Sequence, residues 1–214
     1  MVYNKQLYYE GIPSFPIPNA YLKAALHLLV LGSSQLQCNN AINQNTREDD
    51  ITLVLVGEIQ KYQENYKIRA DSFSVNLIHS ITGIKYSKID IRFTWDNYNP
   101  NSYLATEAKR LFGEGNSLAG EYVDEGVMDF IEGRYGMGHN RAIMLGYILL
   151  KPIDNAISSV KKAMGNRKEK TNEISPIDKV QGCFNYSQMY RSTHTQKVTG
   201  GKIILYHMFV DLAS

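Results

Sequence analysis

Apolar and polar residues alternate in the middle of the chain, with the period of two that is typical of strands. Three segments have this pattern: residues 73–81, 88–94 and 102–109. In the second segment Ile89, Ile91 and Phe93 alternate with polar or charged residues, so we expect Asp90 on the face opposite them. The pattern predicts three consecutive strands, the last two joined by a polar connection.

Apolar residues recur at helical spacing on both sides of these strands. A helix should follow Asn45 or Thr46, either of which can cap it, and acidic residues in its first turn suit the helix dipole. The other predicted helices cover residues 21–31, 122–132 and 152–164. A continuous apolar run predicts a strand buried on both faces at residues 141–150. Two further strands are expected near residues 182–191 and 202–212.

The order of these elements predicts an α/β (α+β) fold with a central mixed sheet flanked by helices. We expect one domain over residues 1–214, in which residues 1–45 form a helical and irregular N-terminal extension. Gly32 should end the first helix, and residues 33–45 should connect it to the second. The polar residues 166–179 are expected to form a mobile surface loop, with a phosphate-contacting loop as the alternative.

The composition is that of an ordinary globular protein, with 43% hydrophobic and 21% charged residues. The net charge of +2 does not by itself indicate nucleic-acid binding, so a polyanion site has to come from local clustering. Two cysteines without CxxC spacing favour free thiols in a reducing cytosol, and five scattered histidines provide no zinc pattern. The apolar run at residues 20–31 is shorter than the roughly 20 residues of a spanning helix. We therefore expect a cytoplasmic protein without membrane association.

Charged residues on the second and third predicted strands are the candidates for chemistry. If these strands are antiparallel neighbours with their polar faces aligned, Asp90, Glu107 and Lys109 converge. Two carboxylates on adjacent strands provide hard oxygen ligands suited to Mg²⁺, and a lysine beside them can act on a water molecule or a phosphate oxygen. The alternative is a solvated sheet face with cross-strand ion pairs, and these three residues alone favour that alternative.

The element order and these residues resemble the PD-(D/E)XK nuclease superfamily. Asp90 on the second core strand and Glu107-Ala108-Lys109 on the third match its motif, although Ile89 stands where the motif has proline. Glu48, at the start of a predicted helix, is similar to a helix acid that some branches add. Further segments look like a bacterial restriction-endonuclease-like branch often linked to phage defence: residues 122–126, 130, 133–135, 144–147, 192–194 and 204–211.

The resemblance implies a Mg²⁺-dependent endonuclease, with Mn²⁺ able to substitute, that hydrolyses phosphodiester bonds of DNA in bacterial defence or restriction. Asp90, Glu107, the backbone carbonyl of Ala108 and Glu48 would bind the ion, and Lys109 would orient or deprotonate the attacking water. The implied partners are double-stranded DNA and either further copies of the chain or a partner defence protein. A catalytically silent nuclease fold that binds nucleic acid or a protein is the alternative, and RNA cleavage is a third interpretation.

Several residues outside the motif are candidates for nucleic-acid contacts: Arg134, Lys161, Lys162, Arg167, Lys168 and His194. For the three lysines and Arg167 the competing interpretation, which the sequence favours, is a solvated surface. Arg134 can instead cap the C-terminus of the preceding helix, and His194 can form hydrogen bonds behind the site. Glu125 either supports the site or faces solvent, and His207, within an apolar strand, is expected to be a hydrogen-bonded core histidine.

Overall fold

The structure is a computed structural model that describes residues 14–38, 41–80, 83–114, 117–180 and 186–213. Within residues 74–87 only the backbone of the described strand residues is considered. The expectations for residues 1–13 and for the first residues of the segment 182–191 fall outside this description.

Seven strands of the described chain form one sheet. They are β1 (Arg69–Ser80), β2 (Gly83–Thr94), β3 (Tyr103–Phe112), β4 (Arg141–Leu150), β5 (Glu173–Lys179), β6 (Met189–Thr195) and β7 (Lys202–Asp211). Their spatial order is β1-β2-β3-β4-β7-β6-β5. The central strands β3, β4 and β7 run parallel, and the outer pairs are antiparallel. The predicted mixed sheet is confirmed, as is the buried strand at residues 141–150.

Helices cover both faces of this sheet. They are α1 (Asn19–Leu36), α2 (Glu48–Gln60), α3 (Ala119–Glu121), α4 (Met128–Ile131) and α5 (Ile153–Asn166), with a π-helical turn at Tyr122–Val127 between α3 and α4 and a 3₁₀ turn at Gln63–Tyr66. Helices α1 and α2 form a first core with the sheet residues Ile91 and Phe93. The π-helical turn, α4 and α5 form a second core on the opposite face with Leu111 and Phe209. In the part of the chain that is described, no helix has both the length and the apolar character needed to cross a bilayer.

Helix α1 continues past Gly32, where the sequence predicted its end. A Cβ atom at Gly32 would lie 2.9 Å from side-chain atoms of both Leu55 and Ile59 on α2. This glycine therefore permits close packing of α1 on α2, and the helix runs on to Leu36. The predicted connection at residues 33–45 is correspondingly shorter.

Helix α2 begins without the predicted side-chain cap. Arg47 precedes its first residue, Glu48, and forms no capping hydrogen bond. The Thr46 hydroxyl instead accepts a hydrogen bond from the N–H of Asn43 at 2.9 Å, within the turn before the helix. The three acidic residues of the first turn are present as expected, and they stabilise the helix through its dipole.

Residues 166–179 do not form the predicted mobile loop, because their second half is strand β5. This strand pairs antiparallel with β6 at the edge of the sheet, and its register is irregular around Pro176. Proline is tolerated on such an edge because one side of the strand needs no ladder partner. Ile177 is 7% exposed and joins the second core, which anchors a segment that is otherwise polar. The next strand, β6, begins later than predicted, at Met189.

The predicted alternation in β2 fails at one position. Ile91 and Phe93 lie in the first core, but Ile89 lies in the second. The break coincides with Phe73 on β1, which has a left-handed φ of 54° and falls opposite Asp90 in the strand register. A non-glycine residue in this conformation is strained and persists only where its surroundings fix it. The backbone irregularity therefore lies directly beside Asp90.

Candidate active site

Strands β2 and β3 separate at the position of Asp90. Their backbone pairing ends at Ile91. Beyond this point the N–H of Ala108 donates to Oδ2 of Asp90 at 2.9 Å, and the N–H of Arg110 donates to Oε2 of Glu48 at 2.9 Å. Two carboxylates thus take the place of a strand partner along this edge of β3.

The acidic residues and the lysine of the motif meet at this edge. The last pair of the two strands, Ile91 with Thr106, leaves Asp90 next to Glu107, and Lys109 lies two residues further along β3. Nζ of Lys109 lies 2.8 Å from Oε1 of Glu107, 3.2 Å from Oε1 of Glu48 and 3.0 Å from the carbonyl oxygen of Ala108. The structure therefore brings together Asp90, Glu107, Lys109 and Ala108 from the sheet and Glu48 from α2.

The motif acids are buried. Asp90 is 7% exposed and Glu107 is 4% exposed, so the interpretation of this face as solvated is wrong. Burying carboxylates costs several kcal/mol per ion even after relaxation, and the cost is offset only by close partners and hydrogen bonds. Buried carboxylates with close charged partners are typical of catalytic and binding sites, although they also occur in structural ion pairs.

Burial and mutual repulsion shift the pKa values of these groups. Burial raises the pKa of Glu107 well above its ordinary value, and the charge of Asp90 raises it further. Burial also raises the pKa values of Asp90 and Glu48, while the Ala108 N–H and Lys109, respectively, lower them. Burial alone would lower the pKa of Lys109, but the charges of Glu107 and Glu48 outweigh it and raise that pKa. The carboxylates therefore keep the lysine in its ammonium form.

One oxygen of Glu107 marks where a further group fits. Its Oε2 is buried and has no hydrogen-bond partner among the described residues. An unpartnered buried oxygen is costly, so a cation, a water molecule or a proton shared with the nearby Asp90 carboxyl is expected there. The donor set is all oxygen, which suits Mg²⁺ or Mn²⁺. The described residues nevertheless contain no preformed group of three or more acidic, histidine or cysteine side chains able to hold a metal ion.

A buried hydrogen bond ties the acid-bearing helix to the sheet. Thr52, one turn after Glu48 on α2, and Tyr147 on β4 are joined through their hydroxyl oxygens at 3.1 Å. Both side chains are fully buried. Burial raises the pKa of Tyr147, and the charges of Asp90 and Glu48 raise it further, so this hydroxyl lies near the acids. This hydrogen bond therefore joins α2, the helix that carries Glu48, to strand β4 of the sheet.

Two residues near the acids were missed in the sequence. Asp129 on α4 is 6% exposed, and its charge adds to the effects of burial and Asp90 in raising the pKa of Glu107. The Tyr135 hydroxyl donates to the carbonyl oxygen of Lys88 at 2.6 Å, two residues before Asp90. An acid within the apolar run of α4 was the available signal for Asp129. Tyr135 lies in a turn, where periodicity gives no signal.

A cleft of ≈ 300 Å³ opens beside Glu48 and Lys109. Arg47 and Arg110 line it together with Glu125, which is exposed on the π-helical turn. Asp49 and Glu121 line it as well, so acidic side chains outnumber basic ones around the cleft. Glu125 faces solvent in this cleft rather than contacting the motif residues directly.

The two arginines predicted to contact phosphate are engaged within the protein. Nη1 of Arg134 lies 2.6 Å from Oδ1 of Asp129, and its guanidinium also pairs with Glu132. Nη2 of Arg167 lies 2.7 Å from Oδ2 of Asp124 on the π-helical turn. Arg134 is therefore connected to the site through Asp129, whereas Arg167 ties α5 to the π-helical turn.

The remaining predicted contacts are dispersed. Lys162 and Lys168 are exposed on and after α5, and Lys161 lies over the ring of Tyr190, with Nζ 4.7 Å from its centroid. His194 is fully buried, so the structure does not bring it to a surface that a phosphate can reach.

His194 belongs to a buried chain of polar groups that also contains His207. The hydroxyl oxygen of Ser192 lies 2.7 Å from Nε2 of His194 and 2.8 Å from Nε2 of His207. Nδ1 of His207 lies 2.9 Å from the Tyr122 hydroxyl, which confirms that His207 is a hydrogen-bonded core histidine. Burial lowers the pKa of His194 to about 4 and that of His207 to about 3, so both are neutral at pH 7.

Comparisons of this chain with protein-family models, with curated proteins and with solved structures find no match. The functional proposal therefore rests on the sequence motif and on the geometry of the site.

Proposed function

We propose that this chain is a divalent-cation-dependent nuclease with a restriction-endonuclease-like core of the PD-(D/E)XK type, and that double-stranded DNA is its substrate. One observation carries the proposal. Two buried carboxylates, Asp90 and Glu107, meet Lys109 and the helix acid Glu48 where two strands separate. Buried, strongly coupled ionisable groups of this kind are typical of catalytic sites.

In this proposal Asp90, Glu107, the Ala108 carbonyl and Glu48 hold Mg²⁺ or Mn²⁺. The bound cation supplies positive charge beside the phosphate and makes a water molecule more acidic. Lys109 contributes charge rather than proton abstraction, because Glu107 and Glu48 raise its pKa and keep it an ammonium ion. Its Nζ donates hydrogen bonds, so it can orient a water oxygen or stabilise charge that develops on a phosphate oxygen.

The cleft beside the proposed reaction centre carries charges of both signs. Its acidic side chains outnumber its basic ones, which favours a bound cation, and Arg47 and Arg110 are the lining groups that could contact a phosphate. Three parts of the proposal rest on the sequence resemblance alone. They are the choice of DNA rather than RNA as the substrate, the role in bacterial defence, and the association with further copies of the chain or with a partner defence protein.

A second function, a catalytically silent fold that binds nucleic acid or a protein, has an observation of its own in favour. Lys109 pairs with both Glu107 and Glu48 without a metal ion, and the described residues contain no preformed metal group. Ion-pair networks of this kind also occur as structural elements. We favour the nuclease because Asp90, Glu107 and Lys109 match the motif in order and spacing and also meet the helix acid Glu48 at one place.

A cleavage assay separates these functions. The purified chain is incubated with duplex DNA, single-stranded DNA and single-stranded RNA in Mg²⁺, Mn²⁺, Zn²⁺ or EDTA. We expect cleavage of duplex DNA in Mg²⁺ or Mn²⁺ and none in EDTA, and we expect Asp90→Asn to bind DNA without cutting it. Cleavage that persists in EDTA, or binding without cleavage in every metal, contradicts the nuclease proposal.

A further inference from the structure

The segment of β2 that carries Asp90 has a paired strand on only one side. Pairing with β3 ends at Ile91, so Lys88, Ile89 and Asp90 lie beyond the ladder on that side. On the other side, the β1 residue opposite Asp90 is Phe73, with its left-handed backbone. A strand segment with no ladder partner on one side and an irregular neighbour on the other opens more readily than a segment paired on both sides. Other contacts therefore have to fix the position of Asp90.

The Tyr135 hydroxyl provides such a contact. It donates to the carbonyl oxygen of Lys88 at 2.6 Å, and the Tyr135 side chain is 5% exposed. The Ala108 N–H holds the Asp90 carboxylate itself, 2.9 Å away. The Asp90 segment is thus held at its backbone by Tyr135 and at its side chain by β3.

The turn that carries Tyr135 is itself fixed. The carbonyl oxygen of Asp129 accepts hydrogen bonds from the N–H groups of Arg134 at 2.8 Å and Tyr135 at 3.2 Å. The Tyr135 ring packs edge-on against Phe130, with ring centroids 5.6 Å apart. The next N–H, from Gly136, donates to the hydroxyl oxygen of Tyr103 on β3 at 3.2 Å. The Tyr135 hydroxyl is therefore presented from a turn joined to α4 and to the sheet.

We propose that Tyr135 is a positioning residue for the metal site: its hydrogen bond to the Lys88 carbonyl sets the place of Asp90 relative to Glu107. This inference rests on the proposed nuclease function, because it assigns Asp90 to a divalent cation. Tyr135 touches neither the substrate nor the cation in this role. Its hydroxyl acts through the β2 backbone, and it also contacts the Asp129 carboxyl, whose pKa it lowers. Residues that hold metal ligands in place in this way typically change metal affinity by about 10- to 100-fold when removed.

The chain contains a matched control for this hydrogen bond. The Tyr186 hydroxyl donates to the carbonyl oxygen of Phe209 at 2.7 Å, the same type of bond, on the β7 side of the sheet. Tyr135→Phe and Tyr186→Phe each remove one hydroxyl and one hydrogen bond to a backbone carbonyl. Tyr135→Phe also removes the contact of this hydroxyl with the Asp129 carboxyl, so Asp129→Asn is titrated beside it as a second control. A purely structural role gives both variants the same kind of effect, namely a lower urea midpoint without a change at the site.

The test is a calorimetric Mn²⁺ titration of the whole chain, with amide hydrogen exchange measured on the same samples. We expect Tyr135→Phe to weaken Mn²⁺ binding by about tenfold and to speed exchange at Ile89 and Ile91, and Tyr186→Phe to change neither. Equal Mn²⁺ affinity in the two variants overturns the role of Tyr135 and leaves the nuclease proposal standing. A wild-type chain that binds no Mn²⁺ overturns both.

Discussion

Nζ of Lys109 lies 2.8 Å from Oε1 of Glu107, the residue two positions before it on the same strand. The same ammonium group reaches the helix acid Glu48 at 3.2 Å. In this arrangement Lys109 is the counter-charge for two carboxylates that would otherwise repel each other in a buried site. A divalent cation that binds these carboxylates therefore competes with Lys109 for them.

Replacing Lys109 by methionine should strengthen metal binding and weaken cleavage. Methionine keeps an apolar stem of similar length but removes the charge that competes with the cation. We expect Mn²⁺ affinity to rise by about tenfold, or ~1.4 kcal/mol, in a calorimetric titration. A lower Mn²⁺ affinity in Lys109→Met would contradict the view that the lysine ammonium competes with the cation for the carboxylates.

The buried Glu107 should make stability depend on pH in a defined direction. Its pKa in the folded chain is raised above 4.5 by burial and by Asp90, so its contribution to stability is complete below that value and is lost as pH rises through the folded pKa. Glu107→Gln removes this titration. The free energy of unfolding of Glu107→Gln minus that of the wild type should therefore increase from pH 4.5 upward, by at most about 1.4 kcal/mol per pH unit.

Urea unfolding in EDTA between pH 4.5 and pH 8 measures this difference. Asp124→Asn is the control, because hydrogen bonds from Arg167 and Lys170 lower the pKa of Asp124 below its ordinary value of 3.8. Asp124 is ionised in both states across this range, so its variant should differ from the wild type by a constant amount. A difference for Glu107→Gln that is also constant would show that Glu107 carries no raised pKa.

The π-helical turn packs against the site through Gly126. A Cβ atom at this position would lie 2.5 Å from Cε of Met144 and 3.5 Å from Cγ of Lys109. We expect Gly126→Ala to destabilise the chain by ~1 kcal/mol through overpacking, because Met144 is fully buried and has to shift. Adding Met144→Leu, which lacks the terminal carbon, should restore the loss in a double-mutant cycle of urea midpoints. Strictly additive effects would mean that the contact with Met144 is not the cause.

The meeting of the motif residues could be predicted because it depends on strand periodicity. A period of two places Glu107 and Lys109 on one face, and the antiparallel neighbour β2 brings Asp90 close to them, although its pairing with β3 ends at Ile91. Tyr135 and Asp129 could not be predicted in the same way. They reach the site through a turn and a short helix, whose path is set by packing against the second core rather than by a local pattern.

The errors in the fold have related causes. In the sequence Gly32 predicts the end of a helix. In the structure its lack of a side chain allows α1 to pack closely against α2. Strand β5 has few apolar residues because it lies at the sheet edge, so its pattern resembles a loop. Ile89 changes face where the neighbouring strand is irregular at Phe73, and this irregularity has no signature in the sequence.

The most direct test of the account is the cleavage rate of Lys109→Met on duplex DNA at saturating Mg²⁺, measured beside its DNA affinity. Asp90 and Glu107 remain to hold the cation, and only the group that handles water and developing charge is removed. We expect the rate to fall by at least about 10²-fold, or ~3 kcal/mol, because such groups act mainly in the transition state. DNA affinity should change little, because many phosphate contacts share it. Cleavage at the wild-type rate would contradict the assignment of this site as catalytic.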